Sequence, residues 1–173
     1  MAFIVEDGSI VTGATSYVSL VEWVAYWADR GITVTQTATD QAALIIATQY
    51  VDTNNSWRGA IVSSAQALGW PRSGVIDNEG RVIASDVIPD ALKYAVCEYA
   101  YRQLTAPLQP DVSVLGTVKS QQDKVDVLET KTEYMDGTGG YVGVMSYPLA
   151  DNYLKGLTDG GVLGNLGAVG SCY

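Results

Sequence analysis

Histidine is absent from this chain of 173 residues. With it go the commonest general base, proton shuttle and transition-metal ligand at neutral pH, and most hydrolase mechanisms. A serine nucleophile would be left with a Ser-Lys or N-terminal threonine scheme, and Lys93 has no serine at a diagnostic spacing. Cys97 and Cys172 are the only cysteines, too few and too far apart to suggest a disulfide framework or a zinc pair, so reduced thiols are the expectation. Charge is scarce at 17% of residues, and 19 acids against 10 bases leave a formal charge of -9. Such a field repels phosphate backbones and argues against nucleic acid as a tight ligand. No apolar run reaches the length of about 18 residues that spans a bilayer. The start MAFIVEDGSI lacks the basic opening of a signal peptide. The expectation is a soluble protein made in a cytoplasm, with no membrane partner.

What the chain does contain is 47% hydrophobic residues, enough to build one hydrophobic core at this length. Tyrosine occurs 11 times and phenylalanine once. Tyrosine joins a flat apolar body to a polar tip, which suits a surface buried against a partner. It equally suits a half-wet core in which it replaces phenylalanine.

Periodicity predicts a helix in SYVSLVEWVAYWADRG, capped at Thr15 or Ser16 and stopped by Gly31, with Tyr17, Leu20, Val21, Val24 and Trp27 or Ala28 on one face. A second is expected from Thr39 or Asp40 through DQAALIIATQYVDT, with Ala43, Ile46, Ala47 and Tyr50 or Val51 as its stripe and an exit at Asn54 and Asn55. A third opens at Pro89, with Asp86 as an upstream cap, and has Leu92, Ala95, Val96, Tyr99 and Leu104 or neighbours as its apolar residues; Cys97 lies in it as a small buried residue. Between the second and third, GVIDNEGRVIASDVIP reads as a short hairpin or a paired extended loop. After Pro107 and Pro110 the period changes, and VSVLGTVKSQQDKVDVLETKTEYM reads as a longer hairpin, about residues 112–135, turning near SQQD. Its second strand mixes polar and apolar residues on both faces, which fits an edge or arm that meets another chain. A short helix is expected in PLADNYLKGL, with Leu149, Tyr153, Leu154 and Leu157 on one face. The glycine-rich end reads as an extended tail that orders against a partner. The fold class is α+β, mainly α: a small bundle of three to four helices with one or two β-hairpins. Residues 1–157 form its domain and residues 158–173 the tail.

Candidate chemistry is thin. GTGGYVG, Gly137 to Gly143, lacks the glycine spacing and the strand-to-helix context of a dinucleotide loop. The pairs Asp123 with Asp126, Glu129 with Glu133, and Asp77 with Glu79 have no predicted apolar pocket to raise one pKa. The DNEG turn is also too poor in oxygen ligands for calcium. No catalytic, cofactor or metal site is expected. Trp57-Arg58 and Trp70-Pro71-Arg72 remain as interface or structural-corner residues. Trp70 reads as a plug of the bundle. Arg72 either bonds loop carbonyls or presents its fork to a neighbour's acidic face.

The order Trp57-Arg58-Gly59, then LGWPRSGV from Leu68 to Val75, a turn at Asp77 to Gly80, and Ile88-Pro89 opening an Ala- and Tyr-rich helix resembles the head-to-tail connector (adaptor) proteins of tailed bacteriophages. Relatives of these often carry a DnaT-like single-stranded DNA-binding label. VKSQQDKVDVLETKTEY is similar to the segment between that family's third and last helices, so the likeness covers roughly residues 16–157. It implies a non-enzymatic virion protein of the phage neck. Its copies would form a ring, dodecameric by the resemblance, beneath the portal protein, extending the DNA channel and docking tail or neck proteins. Double-stranded DNA would pass without tight binding, and no cofactor is implied. The resemblance further places Tyr147, Tyr153, Leu154 and Leu157 in contact with the portal. The alternative function that the label carries is a single-stranded DNA-binding protein of replication.

Overall fold

The computed structural model describes residues 2–109, 119–125, 128–133 and 146–159. The chain divides into two units, one of Met1–Leu108 with Tyr147–Tyr173 and one of Gln109–Ser146. The first holds four helices: α1 (Leu20–Ala28), α2 (Ala38–Asn54), α3 (Asp90–Gln103) and α4 (Pro148–Leu154). It also holds a two-residue pairing of β1 (Ala60–Ile61) with β2 (Arg72–Ser73). The second unit holds an antiparallel hairpin, β3 (Lys119–Val125) with β4 (Leu128–Glu133). The fold is α+β and mainly helical.

The helix starts are set by side-chain caps. Ser19 accepts from the Glu22 backbone N–H while Glu22 reaches back to Ser19, and Thr37 and Asp40 do the same for α2. These reciprocal boxes satisfy backbone donors that a helix leaves open at its first turn. They correct the expected starts: α1 begins after Ser19 rather than at Thr15 or Ser16, and Tyr17 and Val18 are buried ahead of it. Gly31, at φ 71°, ends that helix as expected. At α3 the cap is Pro89, not Asp86, and it carries no side-chain hydrogen bond.

α3 packs against α2 and α4. Trp23, Leu44, Ala47, Val51, Trp70, Leu92, Val96, Tyr99 and Leu154 form the centre of the core. Three side chains of the expected apolar stripes are instead exposed: Val21, Ile46 and Leu104. In α1 the buried side chains are Trp23, Tyr26 and Trp27, and in α2 Leu44 is buried together with the expected Ala43, Ala47, Tyr50 and Val51.

The GVIDNEGRV segment is a paired loop closed by one antiparallel bridge, Ile76 with Val82. In the longer hairpin, SQQD lies inside β3, and Val125 opposite Leu128 brackets the reversal. SQQD has no Gly, Pro or Asn to set a turn; polarity alone does not bend a chain. At the N-terminus, the buried Glu6 carboxylate accepts the backbone N–H groups of Gly8, Ile10 and Val11 at 2.8–3.0 Å. This holds Ile10 at φ 64°, a conformation that costs energy for a branched residue. No helix among the described residues is long and apolar enough to cross a membrane.

Candidate functional site

The corner residues singled out from sequence come together between α2 and α3. Trp70 is fully buried and meets the Trp57 ring edge-on, 5.8 Å between centroids. The Trp70-Pro71 peptide bond is cis. Arg72 turns inward: Nε donates to the Arg58 carbonyl at 2.8 Å, Nη1 to the Gly69 carbonyl at 3.1 Å and Nη2 to the Gly59 carbonyl at 2.9 Å. A planar fork with five donors in fixed directions suits three carbonyls converging from two loop segments. Gly59 is glycine for a steric reason, since a Cβ there would lie 2.3 Å from the Ser73 carbonyl oxygen and φ is 70°.

Arg58 serves a second junction. Its Nη1 donates to the Gly156 carbonyl (3.1 Å), to Asn78 Oδ1 (3.2 Å) and to the Ile76 carbonyl (3.4 Å), and Nε lies 3.6 Å from Asp159. The Arg58 N–H also donates to the Leu157 carbonyl, the Asp159 N–H donates to the Ser56 carbonyl, and Trp57 bridges Thr158. The corner, the DNEG loop and the exit from α4 therefore share one guanidinium. This links the two residue groups that the sequence treats separately. Of the second group, Tyr147, Leu154 and Leu157 are buried in this chain's own core, and Tyr153 packs partly buried beside it. Gly137–Gly143, Asp126 and residues 160–173 lie outside the described residues.

Sequence reasoning missed the polar network behind the corner. Asp52, in the last turn of α2, accepts from the Tyr17 hydroxyl at 2.8 Å and the Gly69 N–H at 2.9 Å, and the Trp70 N–H donates to Tyr17 Oη at 3.0 Å. Burial raises the Asp52 carboxyl above its ordinary value, against the pull of the Gly69 and Tyr17 donors. A signal was available: an acid in the last turn of a helix opposes the macrodipole and needs a compensating partner. Gln66 gave no such signal. Its side chain accepts from the Val62 and Ser63 N–H groups and donates to the Leu68 and Pro71 carbonyls.

The same pairing recurs twice. Tyr26 donates to Glu98 at 2.8 Å, with Arg102 on the other carboxylate oxygen at 2.6 Å, and Tyr99 donates to Asp151. Burial comes first among the causes that push Tyr17, Tyr26 and Tyr99 above the ordinary tyrosine value, and their carboxylate partners add to it. Part of the tyrosine surplus is thus a core whose hydroxyls are satisfied by acids.

α1 and α3 also border an open cleft of about 350 Å³, lined by Glu22, Tyr26, Asp29, Arg30, Lys93 and Tyr94 among others. Its cations are engaged: Lys93 meets Glu22 at 2.6 Å, and Arg30 stacks on Tyr26 at 3.5 Å. Burial works against the Glu22 charge, yet Lys93 and Ser19 hold that carboxyl below its ordinary value. Cys97 borders the cleft, and burial pushes its thiol well up, which marks it as unreactive. Among the described residues no group of three or more acids or cysteines is placed to hold a metal ion.

No curated protein and no solved structure matches the chain. A family model does, over residues 1–169. The chain therefore belongs to the family described as "putative DnaT-like ssDNA binding protein".

Proposed function

We propose that this chain is a structural component of a tailed-phage neck, a ring-forming connector beneath the portal that passes duplex DNA and carries the tail. The observation that supports it best is the state of its cations. Six of its ten cations, Arg30, Arg58, Arg72, Arg81, Lys93 and Arg102, each donate to a carbonyl, hydroxyl or carboxylate of the same chain, within a protein of formal charge -9. A wall along which DNA slides must not hold phosphate, and tight phosphate binding needs free cations that release counterions. The WPRSGV block that carries the connector resemblance is consistent with this reading, because its arginine braces a corner. Electron microscopy of particles assembled without the chain should show filled or leaking heads lacking tails. Normal tailed particles would refute the connector.

Single-stranded DNA binding is the second reading, and the family description backs it more directly than it backs a connector. It needs stacking rings beside a basic groove. Among the described residues, Tyr94 and Tyr101 are the exposed rings, 40% and 36% accessible. An oligonucleotide shift assay at physiological salt decides: tight binding with a steep salt dependence establishes this reading.

A further inference from the structure

We propose that the β3–β4 hairpin is completed by a second copy of this chain, the outer edge of β3 on one copy pairing antiparallel with the outer edge of β4 on the next. The hairpin lies in its own unit, and among the described residues its sheet has two strands only. Among the described residues, each strand therefore has one edge without a ladder partner. An isolated two-stranded hairpin is marginal in water, and an unpaired edge recruits another strand. The strands span seven and six residues, contain neither proline nor glycine, and pair regularly except at Ser120 near one end. The backbone is thus fit to continue a ladder.

Charge selects the partner. β3 carries Lys119, Asp123 and Lys124, and β4 carries Glu129, Lys131 and Glu133. The register within the chain sets Lys119 opposite Glu133 and Lys124 opposite Glu129. If β3 meets the β4 of the next copy in that register, both opposite-charge pairs are formed again. Two β4 strands paired about their middle would instead set Glu129 against Thr132 and Glu133 against Leu128, forming neither opposite-charge pair, and such pairs are what a charged ladder gains. A β3-to-β4 contact joins unlike surfaces, and such head-to-tail contacts close into rings when the rotation permits. The inference rests on the ring reading above and names how its copies join.

Two charge-swapped chains test it, Lys119→Glu/Lys124→Glu and Glu129→Lys/Glu133→Lys, by light scattering over a concentration series. Circular dichroism melting confirms that the helices persist. Wild type should self-associate. Each variant alone should need about tenfold more protein to do so, from two cross-strand pairs made repulsive. Their equimolar mixture should recover assemblies containing both chains. In both variants the pairs within the chain are like-charged, so recovery in the mixture can arise only between chains. Wild type that stays monomeric, variants that assemble alone as wild type does, or a mixture no better than its components would overturn the contact. Virion location is measured separately, so a refuted hairpin contact and a refuted connector are distinguishable.

Discussion

At the scale of the residue, Trp70 and Arg72 divide the work of the corner. Trp70 fills the core with its surface, and its indole N–H has no hydrogen-bond partner among the described residues. Trp70→Ala should lower unfolding free energy by about 3–5 kcal/mol. Trp70→Phe should cost clearly less, since no hydrogen bond is lost; urea melts of both variants check this. Arg72 contributes the opposite way, by bonds alone. Arg72→Met leaves three carbonyls short of a charged donor and should cost about 1.5–3 kcal/mol, read in the same melts. Cys97 should resist thiol reagents in a Cys172→Ser chain until denaturant is added. Rapid labelling of the folded chain would contradict its burial. The inward orientation of Arg72 was not legible in sequence, because WPR is equally compatible with a fork aimed at a neighbour. What decides it is the convergence of Arg58, Gly59 and Gly69 carbonyls, which are backbone groups and leave no trace in residue type.

At the scale of the element, legibility follows how local the determining forces are. The opening of α3 could be read because Pro89 presets the backbone at that point. The start of α1 could not, since Thr15, Ser16 and Ser19 are all competent caps, and the choice falls to the reciprocal Ser19–Glu22 box. Glu22 also pairs with Lys93 of α3, so it ties the helix start to the bundle. Ser19→Ala should therefore cost about 1 kcal/mol as an N-cap loss. Glu22→Gln should remove the Lys93 pair as well, and a double-mutant cycle with Lys93→Met would report that coupling. α4 reads from sequence as a short helix with Leu149, Tyr153, Leu154 and Leu157 on one face, and the residues it buries within this chain are Ala150 and Leu154.

At the scale of the whole molecule, the tyrosine–carboxylate pairs bind together elements that are 35, 72 and 52 residues apart in sequence. No local pattern encodes such partners, which is why composition showed the tyrosine surplus without its purpose. The pairs make an alkaline signature. Tyr17, Tyr26 and Tyr99 have values raised above 10.0 in the folded state, and Tyr50 is pushed up to about 12 by burial. A group whose folded value is raised contributes stability that is complete below its unfolded value and is lost as pH rises through the folded one. Stability should thus hold up to about pH 10 and fall steadily above it, with tyrosinate absorbance appearing together with loss of helix. Gradual ionisation of all tyrosines near pH 10 in a still-folded chain would contradict the pairs.

The guanidinium of Arg58 has one more consequence. Asn78 in the DNEG loop and Asp159 beyond α4 each contact the same cation. Substitutions at these two positions should be non-additive. The tolerance of one site for change then depends on the residue at the other, so the loop and the chain exit are free to vary only in concert.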